Sequence, residues 1–442
     1  MTGETMEVRD ASPGYAPQVN RPVVPEGYKQ TEVGVIPEGW AVVLLGDCLA
    51  VKPSYGINAP AVPQSDRLPT YLRITDITEE GKFLPDPAVS VSSDSSENYY
   101  LSEGDIVFAR TGASVGKSYL YRPSDGPLVY AGFLIRVRPN KHQLLPNFLA
   151  AYVTTGRYWQ WVKLMSMRSG QPGINGTEYA RLPVPLPPLE EQRAIATALS
   201  DVDALLAALD RLIAKKRDIK QATMQQLLTA QTRLPGFEGE WERVRLGDHV
   251  TFLKNGVNSR AELLSDGQVR YLHYGDIHAS GSVLKNPDSL PFLPDAKAKS
   301  LGRLQNGDLI FADASEDIEG VGKSVELVGV ASTEVVSGLH TIAARFDKAI
   351  LSDGFKAYLQ FCPEFISTLR RLAAGTKVYA TTRSHIAGVE MRLPKVEEQQ
   401  AISGVFSAID SELEALQQRR TKTAALKQAM MQELLTGRTR LV

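Results

Sequence analysis

The sequence is poor in cysteine, in long apolar runs and in excess positive charge. Its 442 residues include two cysteines, Cys48 and Cys362, and neither has the paired spacing of a metal site. We therefore expect two reduced thiols and a cytoplasmic protein. It has no stretch of about 18 apolar residues, which argues against a transmembrane helix, and its N-terminal residues contain no apolar signal segment. The formal net charge of −1 excludes a globally basic chain, so binding to DNA would depend on local charge or on a partner.

Motifs for nucleotide, methyl-transfer or metal chemistry are also missing. The segment GASVGKS at 112–118 has three residues between its glycines where a P-loop needs four. A tight turn that presents a lysine and a serine, or a plain surface hairpin, are the interpretations that remain. No D/N-P-P-aromatic motif occurs, and His273, Asp276 and His278 lack a specific ligand spacing. We expect no catalytic residue and no metal site.

Two long amphipathic segments dominate the sequence. The first, from Leu189 to Leu234, is repeated without a gap from Val396 to Leu441, and about half of the aligned positions are identical. Apolar residues recur in both at alternating steps of four and three, the heptad pattern of a helix that packs lengthwise on another. The predicted helix seam consists of Ile195, Leu199, Val202, Leu206, Leu209, Ile213, Ile402, Phe406, Ile409, Leu413 and Leu416. Arg420 interrupts the second copy, so we expect that end of the pair to be looser.

The segments between the helices repeat as well. WAVVLLGD at 40–47 returns as WERVRLGD at 241–248, and LSEGDIVFAR at 101–110 returns as LQNGDLIFAD at 304–313. The predicted fold class is α+β: two pseudo-repeated mixed α/β domains separated by two long helices that form an antiparallel coiled coil. The predicted division is a flexible N-terminal tail (1–27), a first mixed domain (28–187), a central spacer helix (188–236), a second mixed domain (237–394) and a distal spacer helix (395–442).

Local patterns predict the elements of the first mixed domain. Apolar runs bounded by turn residues predict strands at 41–45, 70–77, 104–110 and 132–138. The stretch from Leu145 to Met165 predicts one helix that begins near Pro146. The prolines at 183, 185, 187 and 188 forbid a helix and predict an extended strut before the first long helix.

Several of these motifs occur in one order and together resemble the DNA-specificity subunit of type I restriction–modification systems. They are YKQTEVGVIPEGW at 28–40, the two VGKS segments, QPGIN at 171–175, the PLPPLEEQ junction at 185–192, and the KQ and LLT pairs that close each long helix. The similarity extends over nearly all of the chain after the tail. The second domain departs from it at GTKVYATTRSHIAGVEMRLP, so we expect the two domains to read different sequences.

The resemblance implies a non-catalytic subunit in which each mixed domain is a target-recognition domain that reads one half of a bipartite DNA target. The helices would set the spacing between the halves. The implied partners are double-stranded DNA, two modification subunits that methylate adenine at N6, and restriction subunits that act as motor-nucleases. S-adenosylmethionine, and ATP with magnesium, are expected on those partners and no cofactor on this chain.

Polar, basic and aromatic clusters are the candidates for DNA contact. Arginine suits guanine, glutamine and asparagine suit adenine, and lysine suits phosphate. The candidates in the first domain are Arg110, Lys117, Ser118, Tyr119, Arg122, Arg168, Ser169, Gln171 and Asn175. Those in the second domain are His273, Lys323, Ser324, Arg370, Arg371, Lys377, Tyr379, Thr382, Arg383 and Ser384.

The ends of the two long helices are more apolar than an isolated helix pair requires. We expect these residues to help dock the two modification subunits. They are Met224, Leu227, Leu228, Met431, Leu434 and Leu435.

Two other classes of protein remain open at this stage. One is a self-contained NTPase or methyltransferase, which would bind ATP or S-adenosylmethionine without partners. The other is a coiled-coil adaptor that makes no sequence-selective contact with DNA.

Overall fold

The structure is a computed structural model that describes residues 24–167, 171–330, 333–373 and 378–441. The chain divides into two compact units. The first unit consists of residues 1–207 and 421–442, and the second consists of residues 208–420.

The first unit is built from short strands around two larger sheets. Its strands are β1 (Tyr28–Thr31), β2 (Gly34–Pro37), β3 (Ala41–Leu44), β4 (Leu49–Tyr55), β5 (Ala61–Pro63), β6 (Thr70–Leu72), β7 (Val89–Val91), β8 (Ile106–Ala109), β9 (Ser118–Leu120), β10 (Leu128–Tyr130), β11 (Leu134–Pro139) and β12 (Pro183–Leu186). The four-stranded sheets have the orders β4-β11-β8-β9 and β10-β6-β7-β5, and two further pairs are β1-β2 and β12-β3. All four residues of β8 are buried, because this strand is central and covered on both faces.

Each apolar run that predicted a strand contains one, namely β3, β6, β8 and β11. The second run is a strand only as far as Leu72 and continues as a short 3-10 helix at Ile74–Asp76. The proline-rich strut is extended, as predicted, but it is strand β12 and pairs antiparallel with β3. Its prolines are compatible with a two-stranded sheet, where an edge strand leaves some N–H groups without a ladder partner.

The helices that follow are α1 (Pro146–Tyr152), α2 (Gly156–Ser166), α3 (Gly176–Tyr179) and α4 (Leu189–Leu227). The prediction of one helix from Leu145 to Met165 is therefore wrong. Thr155 has an extended backbone and its side chain accepts a hydrogen bond from the backbone N–H of Tyr158, so it caps a new helix. A hydroxyl side chain at this position favours the start of a new helix.

The second unit repeats this arrangement of strands. Its strands are β13 (Glu242–Arg245), β14 (Val250–Phe252), β15 (Val269–Leu272), β16 (Leu284–Lys285), β17 (Phe292–Leu293), β18 (Leu309–Ala312), β19 (Ala314–Ser315), β20 (Ser324–Leu327), β21 (Glu334–Ser337), β22 (Thr341–Phe346), β23 (Tyr379–Ala380) and β24 (Glu390–Leu393). The order β14-β22-β18-β20 within its largest sheet corresponds to β4-β11-β8-β9. The parallel pair of β15 with β21 likewise corresponds to β6 with β10.

The helices of the second unit are α5 (Tyr274–His278), α6 (Asp295–Ala298), α7 (Pro363–Leu372), α8 (Arg383–Ala387) and α9 (Val396–Leu434). Helices α4 and α9 each contain 39 residues. Among the described residues, no helix is both long enough and apolar enough to cross a membrane.

Two ion pairs fix the relative direction of the long helices in the second unit. In the second unit, Lys220 lies 2.5 Å from Asp410 and Lys216 lies 2.7 Å from Glu412. Residue numbers rise along α4 as they fall along α9, so these segments run antiparallel. In the first unit, the last turns of α9 reach α4 through Lys427, whose Nζ lies 2.6 Å from Asp203.

The predicted seam residues face inward on both long helices. Ile195, Leu199, Leu209, Ile213, Ile402, Phe406 and Leu413 are buried, and Val202, Leu206, Ile409 and Leu416 are half-buried. The first buried positions of each helix belong to a sheet-domain core, with Ile195 in the core of the first unit and Ile402 in that of the second. Arg420, which interrupts the heptads, is exposed and pairs with Asp210 at 3.1 Å.

Each unit contains an equivalent arginine–aspartate contact that stabilises its main sheet. Arg138 donates to both carboxylate oxygens of buried Asp105, at 2.6 and 2.8 Å. Arg345 does the same to buried Asp308, at 2.8 and 2.7 Å. Both aspartates precede the central strand of their sheet, so the same contact ties the same two strands in each unit.

Candidate nucleic-acid interface

In the first unit, three segments meet at the end of strand β8. Arg110 follows the strand, and its backbone N–H donates to the carbonyl of Phe133 at 3.0 Å. Its own carbonyl accepts from the N–H of Ile174 at 2.9 Å. The Arg110 guanidinium lies 4.9 Å from the centroid of the Tyr55 ring, whose hydroxyl accepts from the N–H of Gly176 at 3.1 Å. These contacts bring a cation and an exposed aromatic ring together at one edge of the unit.

The turn that carries the first VGKS segment lies beside this edge. Lys117 is half-buried, and its ammonium lies 2.7 Å from Glu79. Ser118 and Tyr119 are only 8% and 2% exposed, so their predicted contacts with DNA are wrong. Both belong to strand β9, and the Tyr119 hydroxyl donates to Asp125 at 2.6 Å. Burial and this hydrogen bond raise the pKa of Tyr119 well above its usual range.

The other candidates of the first unit have different surroundings. Arg122 is exposed at the start of a short 3-10 helix, and Gln171 is exposed in the loop next to Gly112. Asn175 is half-buried and caps α3, where its side chain accepts from the N–H of Glu178 at 2.9 Å. Contacts of these three with DNA stay predictions. Arg168 and Ser169 lie outside the described residues.

The end of strand β18 in the second unit has the same backbone arrangement. The N–H of Asp313 donates to the carbonyl of His340 at 3.1 Å, and the carbonyl of Asp313 accepts from Thr381 at 2.8 Å. The side chains differ from those of the first unit. His340 Nδ1 lies 3.1 Å from the Asp313 carboxylate, and the His340 ring meets the Tyr274 ring edge-on at a centroid distance of 5.5 Å.

His273 was predicted to lie at the surface and contact DNA, and this is wrong. It is 6% exposed, precedes α5, and accepts a hydrogen bond from the N–H of Gly275 at 3.3 Å. Burial, followed by the nearby charge of Arg260, lowers the pKa of His273 below its usual value. Its ring is therefore a neutral cap that holds the start of α5. Within the described ranges, no group of three or more His, Cys, Asp or Glu residues could hold a metal ion.

The second VGKS segment, like the first, has a buried serine and a half-buried lysine. Ser324 is 2% exposed and begins strand β20, so its predicted contact with DNA is wrong. Lys323 is half-buried and donates to the carbonyl of His278 at 2.8 Å. In both units the serine of the motif is the first residue of a buried strand, and only the lysine before it reaches solvent.

The remaining candidates of the second unit lie on α7, α8 and the chain between them. Arg383 is exposed, and its guanidinium donates to the Leu253 carbonyl at 2.9 Å and to Asn255 at 3.1 Å. Arg370, Arg371, Thr382 and Ser384 are exposed, and Tyr379 is half-buried. All of these stay predictions, and Lys377 lies outside the described residues.

Comparison with known proteins agrees with this arrangement. Residues 37–217 match the family described as the type I restriction modification DNA specificity domain. A putative type I restriction enzyme specificity subunit of Methanocaldococcus jannaschii, MjaX, is 27% identical over 436 residues, which are 94% of this chain and 97% of that protein. The MjaVIII specificity subunit of the same organism is 22% identical and covers 94% of this chain and 96% of its own.

The fold also has a counterpart among solved structures. The S subunit of a type I restriction–modification system from M. genitalium covers 89% of this chain and 96% of its own, with a TM-score of 0.54 at 12% identity. At that identity the likeness concerns the fold alone. The sequence matches to the relatives extend over both units. Along nearly its whole length, the chain is similar to specificity subunits of type I restriction–modification systems.

The structure corrects the docking surface that the ends of the long helices predict. Leu227 and Leu228 are 5% and 4% exposed in the core of the second unit, where Met224 packs against them. Met431, Leu434 and Leu435 are buried in the core of the first unit. The helix ends are apolar because each packs on a sheet domain of its own chain, so the five buried residues are not available to a partner. Docking at half-buried Met224 stays a prediction.

The sequence analysis missed four candidate residues: Tyr55, Phe133, Asp313 and His340. Tyr55 and Phe133 are 42% and 58% exposed, which is unusual for side chains of their size. No local motif marks them, because they lie in different segments and meet Arg110 or one another only in the folded unit. The alignment of the two LSEGDIVFAR-like segments, which places Arg110 opposite Asp313, is the signal that could have found one of them.

Proposed function

We propose that each unit of this specificity subunit reads one half of a bipartite DNA target. The observation that carries the proposal is the internal repeat: both units have the same order of four strands in their main sheet and the same Arg–Asp contact, yet they differ in exposed side chains. Two related but unequal modules in one chain suit a target with two unequal halves.

In this proposal the long helices are the spacer between the two recognition units. Their seam residues are inward-facing, and the pairs that join Lys216 to Glu412 and Lys220 to Asp410 support an antiparallel coiled coil. A pair of helices resists bending more than a flexible linker does, so the gap between the two DNA half-sites would have one length.

The chemistry would belong to partners. This specificity subunit would bind two modification subunits that methylate adenine at N6 with S-adenosylmethionine, and restriction subunits that use ATP with magnesium. The complex would assemble and act on DNA in the cytoplasm. The missing P-loop spacing and methyltransferase motif support a chain without catalysis of its own.

The test is a comparison of adenine methylation with and without this chain. A host without N6-methyladenine would express a modification subunit from the same kind of system, either alone or with the specificity subunit. We expect methylation at one split motif with a gap of unspecified bases, and only when both chains are present. Methylation by this chain alone would contradict the assignment of catalysis to a partner, and a stable complex that methylates no defined motif would contradict DNA reading.

A further inference from the structure

The ends of strands β8 and β18 are equivalent positions in two copies of one framework. In each, the backbone N–H of the residue after the strand donates to a backbone carbonyl from a distant segment, that of Phe133 or of His340. One position earlier, the N–H of Ala109 bonds the carbonyl of Lys117 at 2.8 Å, and the N–H of Ala312 bonds that of Lys323 at 3.0 Å. Arg110 therefore corresponds to Asp313, and Phe133 corresponds to His340.

The side chains at these positions differ although the framework does not. The nearby contact of Asp105 with Arg138 returns unchanged as Asp308 with Arg345. At the strand end, by contrast, a cation is replaced by an anion. Backbone hydrogen bonds hold both positions and do not depend on the side chain, so the fold does not require this reversal of charge. Two modules that read different bases are expected to have the same residues where side chains stabilise the fold and different residues where side chains contact bases.

In the first unit the strand end offers hydrogen-bond donors. A guanidinium has N–H donors and no acceptor, and the Arg110 guanidinium lies over the Tyr55 ring at 4.9 Å from its centroid. Guanine presents two acceptors, O6 and N7, in the major groove, at the spacing that a guanidinium fork matches. The exposed Tyr55 ring lies against this group, and the backbone N–H of Arg110 is held by the carbonyl of exposed Phe133.

In the second unit the strand end offers hydrogen-bond acceptors. A carboxylate has no proton to donate, so His340 Nδ1 is the donor to Asp313 Oδ1. In an imidazole whose one proton is on Nδ1, Nε2 is an acceptor. The carboxylate has a second oxygen, which also accepts. The His340 and Asp313 side chains are 52% and 32% exposed. Cytosine N4 and adenine N6 are the base groups that donate in the major groove.

His340 is held in place by more than its contact with Asp313. Its φ of 55° lies in the left-handed region, which is uncommon for a residue other than glycine. The edge of the Tyr274 ring fixes the imidazole from a second side. Backbone strain of this kind persists where the surrounding structure enforces it, and it is concentrated at binding sites.

We propose that Arg110 sets a guanine at one position of one half-site, and that Asp313 with His340 sets a base with an amino donor, cytosine or adenine, at one position of the other half-site. This inference rests on the proposed function, because it names the residues through which each unit reads DNA. It predicts that the strand end of one unit contacts acceptor groups of a base and that of the other unit contacts a donor group. Neither the shared framework nor the family requires this difference.

The experiment uses the full chain in complex with its modification subunit. After the wild-type motif has been determined, competition binding is measured with oligonucleotides in which each base pair of the motif is replaced in turn. The variants are Arg110→Ala and Asp313→Ala. The matched controls are Arg110→Lys, which keeps the charge but lacks the two-pronged fork, and Asp313→Asn, which keeps the size but replaces one acceptor with a donor.

We expect the wild-type complex to discriminate by roughly 5- to 150-fold at the guanine that faces Arg110. Arg110→Ala should lose this preference and Arg110→Lys should weaken it, with the other half of the motif still read. Asp313→Ala should lose discrimination at one cytosine or adenine of the other half, and Asp313→Asn should alter it. Which base is affected distinguishes cytosine N4 from adenine N6.

Two failures are distinguishable. A wild-type complex that discriminates at no position would overturn the proposed function itself. A wild-type complex that reads both halves, with variants that keep full discrimination at every position or lose it in both halves equally, would overturn only the assignment of Arg110 and Asp313. Where an alanine variant does not assemble, Arg110→Lys and Asp313→Asn decide by the same measurement.

Discussion

Two buried glutamates at the start of the long helices are each held by an arginine that lies just after the end of the other long helix. In the second unit, Arg233 donates to both oxygens of Glu398 at 2.5 and 2.6 Å. In the first unit, Glu191 is bound by Arg440 and also accepts from the Trp40 indole at 2.9 Å. Burying a carboxylate is tolerated when a cation and good hydrogen bonds replace water, and removing that partner is strongly destabilising.

We predict that Arg233→Ala lowers the free energy of unfolding of the second unit by about 2 to 3 kcal/mol, because it leaves the buried Glu398 carboxylate unpaired. Hydrogen exchange of the β18 amides in the full chain would measure this. The control is Arg243→Ala, whose pair with Glu390 is 76% and 50% exposed and should contribute less than about 1 kcal/mol. Equal losses in the two variants would contradict the role of burial.

At the scale of elements, the periodic segments were the most predictable. Helices α4 and α9 follow from a heptad pattern sustained over many turns, and all of the seam residues are buried or half-buried. The break between α1 and α2 was missed because apolar spacing continues across it. It depends on one side-chain cap, that of Thr155, which a periodicity analysis does not see.

The candidate site was less predictable than the helices, for a physical reason. Ser118, Tyr119 and Ser324 have polar groups suited to DNA, but each lies in a strand whose neighbours cover it. Whether a polar residue faces solvent depends on the strand register, and register is set by pairing with distant segments. The aromatic and histidine partners of Arg110 and Asp313 come from such distant segments, so a linear reading missed them.

For the long helices, we predict that Leu413→Ala lowers the free energy of unfolding of the second unit by about 2 to 3 kcal/mol, since Leu413 is 8% exposed in the seam of α9. Leu212→Ala on α4 is the control: its side chain is 40% exposed and should cost less than about 1 kcal/mol. Hydrogen exchange of α9 amides in the full chain reports both. If the α9 amides of Leu413→Ala exchanged no faster than those of the control, the seam would not stabilise these helices.

At the scale of the whole molecule, the internal repeat was the most informative feature of the sequence. Framework residues return in both copies because the same buried contacts must form twice, as with Asp105 and Asp308. The apolar helix ends misled us because burial against the chain's own cores and docking to a partner require the same residue types. Composition cannot separate the two, and the structure does so by placing Leu227 and Leu434 in different cores.

The central claim is that each unit reads one half of the target, and an exchange of one recognition unit tests it most directly. Residues 28–187 would be replaced by the corresponding domain of a specificity subunit with a different known motif, and adenine methylation would be mapped across the genome of the host. We predict that one half of the split motif changes, while the other half and the length of the gap stay the same. A change in both halves, or in neither, would contradict the account.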